Sequence, residues 1–362
     1  MKILVATGKS GGHVFPALAF IDALCEKYKD IEALLILPKR SIIIPVKNSK
    51  FKVRYICVSS FRAGLDFKNI IGVFNILRCS LESLFILLDF RPDVVVAFGS
   101  LSCIPIVILA WLFRINILIH EQNVIPGRAN MFLARFSDRI AISFKASEGY
   151  FGRYRNKVVF TGNPIRPELT RIDKKTALEF FGLKESKFTI LIMGGSQGSH
   201  KINMAVIDAV SKLSNKATLQ FIHITGVYDY EKLANRYKEL DIDVKLFDFL
   251  YPMQYAYSVA DLAICRCGAT TIAELISFAL PAIIIPYPYA YGHQMANAKV
   301  LEEKGAALVI RDEELDSGVL KKNIEYFRDN PQCMAKMRLA YGSFFESNAK
   351  DALVKEAVVL FH

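Results

Sequence analysis

The sequence predicts an α/β protein made of two doubly wound, parallel-sheet domains, and three observations predict it. Short runs that are apolar throughout, such as Val94-Val95-Val96 and Ile283-Ile284-Ile285, suit strands buried on both faces of a parallel sheet. These runs alternate with segments of helical period through both halves of the chain, as repeated strand–helix–strand units require. Three of the strand–helix junctions, near residues 8–13, 194–199 and 266–274, carry glycine turns at the place where open parallel sheets bind ligands. A chain of 362 residues, 52% hydrophobic and 22% charged, has material for two cores and a globular composition.

Taken in order, the strands expected in the first half are 2–6, 33–37, 93–97, 116–120, 139–143 and 158–160. Those in the second half are 189–193, 219–224, 244–247, 261–265, 282–286 and 307–310. The opening run Met1-Lys2-Ile3-Leu4-Val5-Ala6-Thr7-Gly8 is too short for a signal peptide and reads as the first strand. The longest apolar stretch, residues 104–113, stops at Arg114, well short of a spanning helix. The expectation is a protein kept in the cytosol. Thr161-Gly162-Asn163-Pro164 breaks regular structure and marks the expected boundary. Residues 1–162 form the first domain, joined by a returning helix over 346–362, and residues 163–345 form the second.

Charge is distributed unevenly. The net charge is +11, and residues 1–160 carry all of it, because acids and bases balance from 161 onward. An anionic membrane or a phosphorylated acceptor fits such a half. Nucleic acid is not expected, since no helix-turn-helix, zinc-finger or aromatic RNA-binding signature is present. A basic surface with no partner is the alternative. The seven cysteines are scattered, and Cys265-Arg266-Cys267 alone, without a second pair, makes a poor zinc site; buried free thiols are expected.

The turns carry the chemistry. Gly8-Lys9-Ser10-Gly11-Gly12-His13 precedes a helix expected from Pro16. It imitates the end of a Walker loop, but Ile3 occupies the position of the required first glycine, so that motif is rejected. Its glycines allow close backbone approach to a ligand, and the helix start favours phosphate. His13 at that mouth suits acid–base chemistry, with a structural role as the alternative. Gly194-Gly195-Ser196-Gln197-Gly198-Ser199 offers a diphosphate cradle without dinucleotide spacing. In the third turn Gly268 bends the chain, Thr270 and Thr271 are available to cap the helix, and Glu274 is placed to accept both hydroxyls of a ribose; a solvated helix glutamate is the alternative. His293, Gln294 and Asn297 line one face of a further helix, suited to sugar hydroxyls. His120-Glu121-Gln122-Asn123, with Asn130 beyond, places polar residues at a strand's C-terminal end, where function outweighs packing.

Together, Gly11-Gly12-His13-Val14-Phe15-Pro16, His120-Glu121-Gln122-Asn123, Thr161-Gly162-Asn163-Pro164-Ile165-Arg166, Gly194-Gly195-Ser196-Gln197-Gly198, Gly268-Ala269 with Thr271 and Glu274, and His293-Gln294 with Asn297 resemble the MurG family. That family transfers N-acetylglucosamine (GlcNAc) from UDP-GlcNAc to undecaprenyl-diphosphate-linked N-acetylmuramoyl-pentapeptide (lipid I), giving lipid II for peptidoglycan. The resemblance covers nearly the whole chain and implies two Rossmann-like domains facing a cleft, the GT-B architecture. It implies a donor site of Ser196 and Arg166 at the diphosphate, Gly195, Gln197 and Thr271 beside them, and Glu274 on the ribose. Leu250 and Met253 border the uracil, and Gln294, His293 and Asn297 lie at the GlcNAc. It further implies lipid I in the first domain, with its diphosphate near Ser10, Gly11 and Gly12, and Asn123 and Asn130 around the acceptor. His13 is the implied base and Glu121 the alternative. Partners are then UDP-GlcNAc, lipid I, the anionic cytoplasmic face of the inner membrane, and cell-wall synthesis proteins.

The chain departs from the family pattern at Lys9, at Gly99-Ser100-Leu101 in place of Gly-Gly-Tyr, and at Cys267 in place of serine. No cofactor and no metal are expected, because Asp241-Ile242-Asp243 precedes a strand in a charged, solvated segment. The rivals are another two-domain UDP-sugar transferase acting on a lipid, a UDP-GlcNAc epimerase, and a non-catalytic nucleotide-sugar sensor.

Overall fold

The computed structural model describes residues 1–39, 50–57, 68–195, 197–289, 292–344 and 348–361; of 68–76 the backbone alone is described. Contacts divide the chain into Met1–Pro167 with Ser347–His362, and Glu168–Glu346. In the first unit, strands β1 (Lys2–Ala6), β2 (Glu32–Pro38), β3 (Lys52–Ile56), β4 (Val94–Ala97), β5 (Asn116–Glu121), β6 (Arg139–Ile142) and β7 (Val158–Phe160) form one parallel sheet in the order β3-β2-β1-β4-β5-β6-β7. Its helices are α1 (Gly11–Lys27), α2 (Lys68–Phe90), α3 (Cys103–Leu112) and α4 (Arg128–Leu133).

The second unit holds α5 (Lys174–Phe181), β8 (Phe188–Met193), α6 (His200–Lys212), β9 (Leu219–Ile224), α7 (Tyr230–Lys238), β10 (Asp243–Phe247), α8 (Met253–Val259), β11 (Leu262–Cys265), α9 (Ala269–Phe278), β12 (Ala282–Ile284), α10 (His293–Glu302), β13 (Ala307–Val309), α11 (Ser317–Asp329) and α12 (Pro331–Ala340). Its sheet is parallel with the order β10-β9-β8-β11-β12-β13. The final helix, α13 (Ala349–Val359), belongs to the first unit. Both sheets are doubly wound, as the alternating pattern predicts.

Strand periodicity sorts the first core into two faces. Leu4 and Ala6 of β1 pack with Ile86, Leu87, Cys103 and Val107 of α2 and α3, while Ile3 and Val5 pack with Phe20 and Leu24 of α1 and with Leu353, Val354 and Ala357 of α13. In the second unit Ile190, Ile192, Leu262 and Ile264 meet the apolar faces of α6 and α11. Among the described residues no helix is long and apolar enough to cross a membrane.

Two expectations need correction. The sequence reading has no strand at β3, which pairs in parallel with β2 at the sheet edge. Its Lys52 and Arg54 break the apolar pattern, and such charges are a common way of blunting an edge. Helix α1 begins at Gly11 rather than Pro16, with Ser10 as an extended N-cap whose carbonyl receives His13 N at 3.0 Å and Val14 N at 3.1 Å. Pro16 sits inside the helix, more than a turn from its start, and cannot donate to the carbonyl of Gly12.

Candidate active site

In each sheet the winding direction reverses beside the first strand of the unit, between β1 and β4 and between β8 and β11. Ligands of open α/β sheets bind at the carboxyl ends of strands at such a point. The glycine turns lie there.

In the first unit the β1–α1 turn packs against the segment after β4. A Cβ at Gly8 would approach the His13 ring and the Ser100 Cβ to 2.7 Å each, so the glycine is what lets the imidazole lie down on the turn. Ser10 makes no side-chain cap and the first turn of α1 carries no acid, so this helix start has no acidic side chain of its own to oppose an anion. Gly12 is exposed there and Gly11 buried. His13 is half-buried, and burial holds its pKa below the ordinary 6.5. The nearby Glu121 charge and its contacts with Gln122 and Phe98 partly oppose that shift.

The strand β5 delivers its polar end beneath this turn. His120, Glu121 and Gln122 are all buried. Gln122 Oε1 lies 3.1 Å from His13 Nδ1, and Gln122 Nε2 lies 3.1 Å from the Phe98 carbonyl, 3.1 Å from the His120 carbonyl and 3.0 Å from His120 Nδ1. His120 Nε2 meets the Gly162 carbonyl at 3.1 Å, and burial pushes this imidazole down to about 4.

Glu121 accepts four hydrogen bonds. They come from Asn123 N at 2.8 Å, Asn123 Nδ2 at 3.2 Å, Gly127 N at 2.9 Å and Asn130 Nδ2 at 2.8 Å. Asn130 also donates to the His120 carbonyl at 3.1 Å and underlies Gly99. The structure thus joins His13, Glu121, Asn123 and Asn130 into one polar cluster. Arg166 lies in the same unit, its guanidinium 4.2 Å from the centre of the Phe15 ring on α1.

In the second unit the β8–α6 turn is closed by backbone. Gly195 and Gly198 adopt φ of +100° and +76°. A Cβ at Gly198 would come within 1.9 Å of the Thr225 carbonyl, so only glycine fits. Gln197 is exposed, and Ser196 lies outside the described residues. Helix α6 starts with Ser199 unbonded as a side-chain cap and with no acid in its first turn. Arg266, at the end of β11, donates to Ser199 Oγ at 3.0 Å and pairs with Asp312 at 2.6 Å, which also receives Lys201 at 2.9 Å. The second and third turns are therefore tied together.

Glu274, on α9, is buried and accepts the Tyr257 hydroxyl at 2.6 Å. Gln294 Oε1 accepts from Cys267 N at 3.1 Å and Tyr287 N at 2.9 Å, while Asn297 Nδ2 donates to the Cys267 carbonyl at 3.3 Å. The two α10 residues hold the third turn against the β12–α10 segment. His293 opens α10 after Gly292, Thr271 lies in the first turn of α9, and Leu250 and Met253 sit at the start of α8, Leu250 buried. Among the described residues no group of three or more His, Cys, Asp or Glu side chains is placed to hold a metal ion.

Sequence reasoning gave no individual role to Gln122, His120, Tyr257 or Arg266. Signals existed for three of them. His120 and Gln122 are two apart at a strand end and so share a face, and Tyr257 follows Met253 by four on α8.

Residues 3–142 match the glycosyltransferase family 28 N-terminal domain, and residues 189–353 match the family 28 C-terminal domain. A UDP-N-acetylglucosamine–N-acetylmuramyl-(pentapeptide) pyrophosphoryl-undecaprenol N-acetylglucosamine transferase of Thermoanaerobacter sp. (strain X514) is 38% identical over 346 residues, 93% of this chain and 94% of that one. A protein of the same name from Desulforamulus reducens is 35% identical over 347 residues, 93% and 92% of the two chains. The crystal structure of Acinetobacter baumannii MurG superposes with a TM-score of 0.76 at 25% identity, covering 99% of each chain. A Staphylococcus aureus MnaA–UDP structure, at 14% identity and a TM-score of 0.67 over 99% of this chain and 94% of that one, shares the fold.

Proposed function

The chain belongs to glycosyltransferase family 28, among its UDP-N-acetylglucosamine–N-acetylmuramyl-(pentapeptide) pyrophosphoryl-undecaprenol N-acetylglucosamine transferases, and from that premise we propose how its residues divide the reaction. The enzyme transfers GlcNAc from UDP-GlcNAc to lipid I and so makes lipid II. The first unit takes the lipid acceptor and the second takes the nucleotide sugar. Transfer is one inverting displacement, in which the 4-hydroxyl of the muramoyl sugar attacks the anomeric carbon from the face opposite UDP. The C–O bond to the diphosphate breaks as the new glycosidic bond forms, and the hydroxyl proton passes to His13.

His13 suits that task because burial lowers its pKa and so favours the neutral, proton-accepting imidazole. The departing diphosphate gathers charge, which the uncapped N–H groups at the start of α6 stabilise. Gly195 and Gln197 belong to the turn before α6 that would receive it, next to the Ser196 position that the family pattern assigns to the diphosphate. Glu274, with Thr271 nearby, takes the ribose, and Leu250 and Met253 border the base. His293, Gln294 and Asn297 shape the sugar pocket, the last two by holding the Cys267 turn. In the first unit Ser10, Gly11 and Gly12 receive the acceptor diphosphate, and Glu121 keeps Asn123 and Asn130 in place beside it.

The proposal includes a peripheral position at the anionic cytoplasmic face, and exposed apolar side chains support contact with a lipid surface. Leu77, Leu81, Phe85 and Leu88 recur along α2 at helical spacing and are more than half exposed. Helix α3 packs beside α2 and ends in exposed Trp111 and Leu112, followed by Phe113 and Arg114. An apolar stripe with basic neighbours partitions into a lipid interface.

The observation that carries the reading is the placement of a glycine turn at the switch point of each sheet, with His13 on one and an uncapped helix start on the other. UDP release assayed with and without a lipid I analogue tests it. Release only with the analogue is expected. Release without any acceptor, or interconversion of the donor, would point to a hydrolase or an epimerase instead.

A further inference from the structure

The amide of Gln122 has its orientation fixed by its surroundings. Its Nε2 lies 3.1 Å from two backbone carbonyls, those of Phe98 and His120. Carbonyl oxygens only accept, so this end must be the donating NH2. The other end, the oxygen, then faces His13 Nδ1 at 3.1 Å and can only accept. A third contact agrees. His120 Nε2 faces the Gly162 carbonyl and must donate, so its Nδ1 bears the lone pair that Gln122 Nε2 meets at 3.0 Å. A neutral imidazole carries one N–H. If that hydrogen is on Nδ1 of His13, the basic lone pair is on Nε2.

We propose that Gln122 is a positioning residue that holds His13 as the Nδ1–H tautomer, leaving Nε2 to receive the acceptor's proton. The proposal rests on the reading of His13 as the base and supplies what that reading lacks, the reason the reactive nitrogen is unprotonated. The reversed tautomer would present an N–H to the attacking hydroxyl and could not take its proton. Glu121 is the charged group facing His13, and its oxygens are engaged by four donors of the loop it organises. His120 faces it as well and stays neutral down to about pH 4.

Long-range 1H–15N spectra of the full chain labelled in its histidine rings, recorded at neutral pH, read the tautomer directly. The His13 signals are those lost in His13→Ala. The Nδ1–H pattern is expected in the native protein, and no variant of Gln122 needs to fold for that result. Gln122→Leu should move His13 toward Nε2–H and lower kcat by about 10²–10⁴-fold, the range of a general base's contribution, whose upper end matches a catalytic histidine left in the wrong tautomer. Its UDP affinity should not change. Gln122→Glu keeps an acceptor against Nδ1 and adds a negative charge, so Nδ1–H should persist and the acidic limb of kcat/KM should move to higher pH. An Nε2–H pattern in the native protein, or Nδ1–H retained in Gln122→Leu, overturns the proposal. Near-native turnover in His13→Ala would instead overturn the base reading itself.

Discussion

The Tyr257 hydroxyl donates a 2.6 Å hydrogen bond to Glu274 Oε2, joining α8 to α9 inside the second unit. The bond holds one carboxylate oxygen in place in a buried site, and both residues are less than a tenth exposed. Glu274→Ala should weaken UDP binding by about 1.5–3 kcal/mol, the range for hydrogen bonds to charged groups, and Tyr257→Phe by about 1 kcal/mol through lost positioning. Calorimetric titration with UDP measures both. Unchanged affinity in a folded Glu274→Ala protein would remove this carboxylate from the donor site.

His13→Ala should reduce turnover by roughly 10²–10⁴-fold and leave UDP affinity intact. A base works when neutral, and burial lowers the pKa of His13, so the acidic limb of kcat/KM should lie at lower pH than that of an ordinary imidazole. An acidic limb above pH 7 would contradict the environment described for this ring.

Ser100 stands at φ +81°, directly after Gly99 at +85°. A serine in that region carries backbone strain that glycine does not. Ser100→Gly should raise stability by about 0.5–1 kcal/mol, the relief of strain less the added freedom of the unfolded chain. Equilibrium denaturation detects the change, and a loss of stability would show that the Ser100 side chain contributes more than its backbone costs.

His223 and His120 are both buried and neutral, with pKa values pushed down to about 3 and about 4. The unfolded chain takes up protons at these sites near pH 6.5, whereas the folded chain does not until far lower pH. Stability is therefore complete above pH 6.5 and declines as pH falls toward 4, by roughly 1.4 kcal/mol per pH unit for each ring. His223→Gln should flatten thermal melts between pH 6.5 and 5 by about one ring's share. A slope identical to that of the native protein would mean His223 protonates without unfolding.

Flotation with liposomes tests the stripe on α2. Binding should appear with anionic vesicles and decline with salt, at about 1 kcal/mol per basic residue near the surface. Leu81→Glu with Phe85→Glu should abolish it. Arg78 is a weaker probe than its position suggests, because Glu82 pairs with it at 3.1 Å. Phe67, Ile70, Ile71, Phe74 and Ile76 continue the apolar helical pattern in the sequence and Lys68 interrupts it; Phe67 and the side chains of the others lie outside the described residues. Equal recovery with neutral vesicles would leave the basic half to serve the acceptor's diphosphate alone.

Buried parallel strands were readable because they are apolar on both faces, and β4 and β12 show it plainly. The edge strand β3 was not, since half of its side chains face water and periodicity of burial is the signal being read. The start of α1 was misplaced for a different reason. Glycines and an internal proline argue locally against helix, yet the Ser10 carbonyl and the packing of Val14, Ala17 and Phe20 against the sheet outweigh them. The polar residues picked out at the end of β5 come together in the folded chain. Which of them touch was not legible: that Gln122 bridges His13 to two carbonyls, or that Arg266 reaches Ser199, depends on distances between segments far apart in sequence.

The packing of α13 on α1 has a consequence for the order in which the protein is completed. Leu353, Val354 and Ala357 cover the face of the first sheet that carries Ile3 and Val5. A ribosome delivers β1 and α1 first and α13 last, so the part of that face that α13 covers stays bare through nearly the whole of translation. All residues of the second unit emerge before the first unit receives its final helix. The half that bears His13 is begun first and finished last, and a chain stalled a dozen residues early would present one completed unit beside an unsealed, aggregation-prone one.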